Sequence, residues 1–307
     1  MRITVRKLQL SGIVFAASLG FAATSLAYAE VGAVWSPGAP STKLVGYKMQ
    51  AIGDDPDPVD TLVWRPFSPP ASGRVVLNPG GEANGDGAPS LLMDATSSLL
   101  VAAWSRNSVA GFDIVTSQFV DGAWTTPQVI VAGATNDLDP QLVQDAAGVI
   151  HLFYWADGAS PQVFDTQTAD LSSWSTPQLV SQPGEIAVRP AAAVYQGVLR
   201  VAYEVHDFGY GNSPREVVLS RFDGAAFVTE VVAMTNNLGT VSPQVHAHSG
   251  HLWVDWIDAQ NAGAGEVAWT RLDAQGHWEP IHYAPFASAV ERDYFVRGGV
   301  RMQAIQP

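Results

Sequence analysis

The chain has 307 residues, no cysteine, and 29 Asp and Glu against 16 Lys and Arg, for a formal charge of −13 at pH 7. That balance excludes nucleic acid as the natural partner, because such binding rests on basic contacts to phosphate, and it argues equally against adhesion to anionic lipid. Without cysteine no disulfide framework can brace the fold, so a hydrophobic core must hold it unaided.

The chain opens with a basic start at Arg2, Arg6 and Lys7, then an apolar stretch from Leu8 to Leu26, then the small residues of Ala27-Tyr28-Ala29. This is the pattern of a signal peptide, predicted over residues 1–29 with cleavage after Ala29. The protein is therefore expected to be exported, either secreted or periplasmic. No second apolar run of spanning length follows, so membrane insertion is not expected. Residues 30–307 read as a single domain.

Two markers then repeat together. Pro89, Pro140, Pro190 and Pro243 each open a strand-like run, and Trp124, Trp174, Phe227 and Trp278 each follow a polar turn. Both series recur at about fifty residues, a period that belongs to propeller blades. Within a unit the first strand ends at a glycine turn, as at Gly148, Gly197 and Gly250, where a positive φ suits glycine. A second strand follows with period-two alternation: Ile150, Leu152 and Tyr154 on one face, His151, Phe153 and Trp155 on the other. A variable loop, a third strand, an Asp/Gly turn, the marker aromatic and a fourth strand complete the unit.

The predicted fold is all-β, a five-bladed β-propeller of four-stranded blades. The blades fall near residues 89–139, 140–189, 190–242 and 243–296, with a fifth assembled from 297–307 and 40–88. A C-terminal strand joining the N-terminal blade would close the ring and remove its exposed edges.

The run Asp121-Gly122-Ala123-Trp124-Thr125-Thr126-Pro127, and in part Ser172-Ser173-Trp174-Ser175-Thr176-Pro177, carries a family resemblance. From about residue 40 to the end the chain resembles the bacterial sialidase-like β-propellers with BNR-type repeats, here without Asp boxes. The resemblance implies a ligand site over the central channel, on the rim shared by the loops that enter each inner strand and those joining second and third strands. It also implies that rim carboxylates are the groups to examine, since five-bladed glycosidases acting on arabinan and xylan place their acids there.

Asp139 and Glu185, with Asp137, Asp207 and Glu291 on neighbouring loops, are the acidic candidates. As an enzyme the protein would be a glycoside hydrolase with Asp139 and Glu185 as its acid/base pair, a reaction needing two carboxylates roughly 5–10 Å apart. The plain alternative is that loops of an acidic protein are acidic. Arg189 and Arg297 precede inner strands and could clamp an anionic group, as in sialic or uronic acid recognition; otherwise they are structural arginines pairing with acids such as Glu185 and Asp293. His206, Asp207, Phe208 and Tyr210 occupy a loop that breaks the repeat and offers rings on which a sugar can stack. His246 and His248 share a strand face and could reach one metal, with Asp255 or His206 as a third ligand. Asp54, Asp55, Asp57 and Asp60 could take a divalent cation such as calcium, or form a solvated acidic turn. No other cofactor is expected, and no nucleophile elbow or phosphate loop occurs.

The sequence reading is an exported, monomeric propeller that binds a glycan or other extracellular polar ligand on its rim without catalysis. A sialidase-like glycoside hydrolase using rim carboxylates is the alternative, and a secreted protein-interaction scaffold the second.

Overall fold

The computed structural model describes residues 28–34, 43–49, 61–66, 75–76, 89–97, 99–108, 110–206, 215–237, 240–248, 250–258, 266–285, 293–297 and 300–304. Every regular element among them is a β-strand. The first sheet is β1 (Tyr28–Val34), β2 (Lys43–Met49), β3 (Thr61–Pro66) and β4 (Val75–Val76), in that order. The second is β5 (Ser90–Met93), β6 (Leu100–Ser108) and β7 (Gly111–Val120), with β8 (Ala123–Trp124) and β9 (Gln128–Val131) both pairing with β7. The third is β10 (Asn136–Gln144), β11 (Ile150–Asp157), β12 (Gln162–Thr168) and β13 (Gln178–Leu179). The fourth is β14 (Ile186–Tyr195), β15 (Val198–His206), β16 (Arg215–Phe222) and β17 (Phe227–Asn237). The fifth is β18 (Thr240–His248), β19 (His251–Asp258), β20 (Glu266–Leu272) and β21 (His282–Pro285), and a hairpin of β22 (Asp293–Arg297) and β23 (Val300–Ala304) follows.

All pairings are antiparallel, and all but that of β7 with β9 join neighbours in sequence, as in propeller-like blades. The first strands also neighbour one another in chain order, β1 beside β5, β5 beside β10, β10 beside β14 and β14 beside β18. The expected C-terminal closure differs in detail. The strand predicted to complete the N-terminal sheet pairs instead with β22. That sheet takes its own first strand from β1, which pairs with β2 from Tyr28↔Met49 to Val34↔Lys43. A local hairpin closes a shorter loop than a pairing of chain ends, and so costs less entropy. The hairpin still meets both ends, because β22 lies beside β18 and β1.

Packing between sheets explains the apolar runs. Leu152 and Tyr154 of β11 pack with Val101 and Ile114 of the second sheet, while Phe153 and Trp155 pack with Val201 and Tyr203 of the fourth. Ala202 and Leu219 meet Leu252 and Trp256 of the fifth. A middle strand buried on both faces reads as a continuous hydrophobic run. Truncating a wholly buried ring such as Phe153 costs about 3–5 kcal/mol. The marker aromatics belong to this packing: Trp124 and Phe227 are buried, and Trp174 and Trp278 lie against the clusters.

A hydroxyl repeats beside the markers. Ser117, Thr166 and Thr270, each on a third strand, donate at 2.7 Å to the carbonyls of Thr125, Ser175 and Glu279, the residues just after Trp124, Trp174 and Trp278. The turn glycines Gly148, Gly197 and Gly250 have φ of 87°, 75° and 77°, as their place in tight hairpins requires.

Candidate functional site

Pro140, Pro190 and Pro243 lie inside their strands rather than at the openings. In β10, β14 and β18 the register slips across them, between Leu138 and Gln141, Val188 and Ala191, and Val241 and Gln244. Proline has no N–H for the ladder, so it is tolerated where a bulge already interrupts the pairing. The residue before the proline takes a left-handed conformation at two of these bulges, Asp139 with φ 50° and Arg189 with φ 55°. Each side chain then meets the second strand of its own sheet. Asp139 Oδ2 accepts a hydrogen bond from Trp155 Nε1 at 2.8 Å. Arg189 Nη1 donates to Glu204 Oε1 at 3.1 Å.

Trp155 and Glu204 are equivalent positions, opposite Leu138 and Val188 in the two ladders. Glu204 is entirely buried, and its other oxygen lies 3.2 Å from His206 Nε2. Arg189 keeps 42 % of its side chain exposed. The fourth sheet thus holds a buried carboxylate between an imidazole and a half-exposed guanidinium. The guanidinium and the imidazole together offset a charge that would otherwise be costly to bury. Arg189 and His206 were both sequence candidates; Glu204, the group joining them, was not. Its signal was a lone acid inside the apolar run of β15.

Other acids play different parts. Asp137, two residues before Asp139, is 3 % exposed, and its Oδ2 has no hydrogen-bond partner. Burial first, then the nearby Asp113 charge, push its carboxyl up to about 6. Glu185 Oε2 accepts from the Gln182 N–H at 2.9 Å, tying its own turn, and burial pushes this carboxyl up too, with Glu216 adding repulsion. No hydrogen bond or ion pair joins Asp139 to Glu185 among the described residues. A second buried pair, His151 Nδ1 to Asp165 Oδ2 at 2.9 Å, lies in the third sheet.

An open groove of about 490 Å³ runs over the third sheet. Ala156, Gly158 and Gly184 give it small residues, Thr135, Ser160 and Gln162 give it polar ones, and Phe164 supplies a ring. These come from the loop before β10, the end of β11 and start of β12 with the connection between them, and the turn before β14.

The remaining candidates are less advanced. Asp207, Phe208, Tyr210, Glu291 and the cluster Asp54, Asp55, Asp57 and Asp60 lie outside the described residues. Arg297 ends β22 opposite Val300, and its side chain is likewise outside them. His246 Nδ1 sits 3.5 Å from Asp255 Oδ1, a pairing within the fifth sheet. Among the described residues no group of three His, Cys, Asp or Glu side chains is placed to hold a metal. No helix among them is long and apolar enough to cross a membrane.

No family model and no curated protein matches the sequence. Solved structures do. A protein of unknown function from Dyadobacter fermentans superposes with a TM-score of 0.55 at 12 % identity, covering 85 % of this chain and 94 % of that one. An ulvan lyase of polysaccharide lyase family PL25 gives 0.54 at 13 % identity, covering 81 % and 69 %. An endo-1,4-β-xylanase from Bacteroides thetaiotaomicron gives 0.51 at 14 % identity, covering 83 % and 95 %. What they share is the fold. That fold is all-β with propeller-like four-stranded sheets, and the matches single out no BNR-type subgroup. The two structures with a named activity are both enzymes named for polysaccharides. They overturn the expectation of a non-catalytic binder.

Proposed function

We propose that the protein is an exported glycoside hydrolase acting at the rim around Asp139 and Arg189. The observation that carries this reading is the pair of equivalent bulges, one presenting a carboxylate and the next a guanidinium backed by Glu204 and His206. Strain held at two matched positions is what a preorganised site requires. The ring of first strands would close through the C-terminal hairpin, which lies beside both end sheets.

Hydrolysis of a glycosidic bond asks one carboxyl to give a proton to the leaving oxygen and another carboxylate to assist attack at the anomeric carbon. Asp139, partly exposed and steadied by the Trp155 indole, takes the second role. Glu185 takes the first, since burial keeps its proton on to higher pH than an ordinary glutamate. Arg189 would hold sugar oxygens or a carboxylate of the substrate, with Glu204 and His206 fixing its guanidinium.

The test is a panel of arabinan, xylan, sialylated and uronate-bearing glycans incubated with the purified chain, with release of reducing ends as the readout. Cleavage of any member with water uptake supports the reading. Binding without cleavage contradicts it, and products carrying a new C=C bond would make the enzyme a lyase.

A further inference from the structure

The groove on the third sheet carries an inference about substrate length, and it rests on the proposed hydrolysis. Its floor is built on one cross-strand row. Asp137 pairs with Ala156 and Ala156 with Gln162, so the three share a face of the sheet. The next pair on that face, Tyr154 and Phe164, stacks with centroids 5.6 Å apart. Thr135 and Ser160 add hydroxyls to the walls, and the glycines leave backbone within reach. No lining side chain is charged.

The row leads inward. Its inner end is Asp137, buried and with Oδ2 unpartnered, and the groove borders the other proposed catalytic residue: Gly184 precedes Glu185, and Ser160 Oγ and Gln162 Nε2 both donate to the Glu185 carbonyl at 3.2 Å. A volume of about 490 Å³ suits a small organic unit, in the usual range of about 300–1,000 Å³. An anion would meet no cationic group among the lining residues, and a metal would meet no cluster of ligands among the described ones. Hydroxyl and amide groups beside an aromatic face match an uncharged sugar, whose ring offers both C–H and O–H surfaces.

We infer that this groove holds an uncharged sugar unit next to the bond that Glu185 protonates, so that the substrate is a polysaccharide chain rather than a short glycoside. Chain units in the groove bind alike in ground and transition states, and their loss raises KM while sparing kcat.

Gly158→Leu tests the groove. Gly158 does not have a positive φ, and an added Cβ would meet Thr135 Cγ2 at 3.8 Å and Ser160 O at 4.0 Å, ordinary contacts that the fold tolerates. The variant is expected to raise KM for long oligosaccharides by about tenfold or more, with turnover of a short aryl glycoside unchanged. Gly158→Ala, with a smaller side chain, should fall between. Unchanged KM on the long substrate, or cleavage by wild type of short glycosides alone, overturns the inference and leaves hydrolysis at Asp139 standing. Affinity electrophoresis in polysaccharide gels, using Asp139→Asn as the parent, separates binding from turnover. Retardation lost on adding Gly158→Leu supports the groove, and retardation kept in the double variant overturns it.

Discussion

Asp139 and Arg189 occupy one position in successive sheets, each at a positive φ (50° and 55°) just before the proline of an inner-strand bulge. Such a conformation costs a non-glycine residue about 1–2 kcal/mol, so it persists only where surroundings impose it. The surroundings here are the second strands, which supply Trp155 to one and Glu204 to the other. The repeat has been kept as backbone and diversified as chemistry.

Arg189→Ala leaves Glu204 wholly buried with the His206 imidazole as its remaining partner from the constellation. Breaking a buried pair costs about 3–5 kcal/mol, but Arg189 is itself half-exposed and part of that is screened. A loss of about 2 kcal/mol is expected in urea titrations. Glu204→Gln in the same background, which removes the stranded charge, should restore much of it.

Asp137 gives a pH signature. Its carboxyl moves from 3.8 to about 6 on folding, so between those values the folded state holds a proton that the unfolded chain has released. The favourable contribution is complete below 3.8 and is lost as pH rises through about 6. Asp137→Asn should therefore be more stable than wild type near pH 7, by about 2 kcal/mol, and equal to it near pH 4. Parallel melting curves at the two pH values would show a constant difference if Asp137 titrated normally.

His151 and Asp165 lie buried against one another, and Asp165 Oδ1 has no partner. His151→Leu strands the carboxyl and should cost about 3 kcal/mol, while His151→Leu with Asp165→Leu should cost less than the single change. Additive losses in such a double-mutant cycle would mean that the pair is not coupled.

The hairpin β22–β23 touches both ends of the sheet series through β22. A chain ending before Asp293 uncovers strands of β18 and β1, edges that then pair with other molecules. Lower melting temperature together with concentration-dependent association is the expected outcome in calorimetry and size-exclusion runs. A truncated chain that melts like the full one would show that the hairpin closes nothing.

Much of the fold was legible because it rests on local chemistry. Gly148, Gly197 and Gly250 declare their turns, and Trp124, Trp174, Phe227 and Trp278 keep the beat of the packing. What escaped depends on partners far apart in sequence. A proline such as Pro140 marks a strand in either register, and only the ladder shows that it sits in a bulge inside β10. The C-terminal strand carries an inner-strand pattern, but its pairing was decided by the nearer β22. Arg189 was visible as a rare cation before an inner strand. Glu204 was passed over: as the lone acid in the apolar run of β15 it could be suspected of burial, but its two partners, at the bulge before Pro190 and two residues on at His206, appear only in the fold. Asp139 was legible as a rim acid, yet the indole that holds it lies sixteen residues on, on another strand.

The central claim is that Asp139 acts on a glycosidic bond, and Asp139→Asn tests it most directly. The amide can still accept from the Trp155 indole, so the bulge and the fold should survive, as circular dichroism and melting would verify. On the glycan that wild type cleaves, kcat should fall by about 10²–10⁴ with binding retained. Cleavage by a folded Asp139→Asn protein at the wild-type rate would contradict the account.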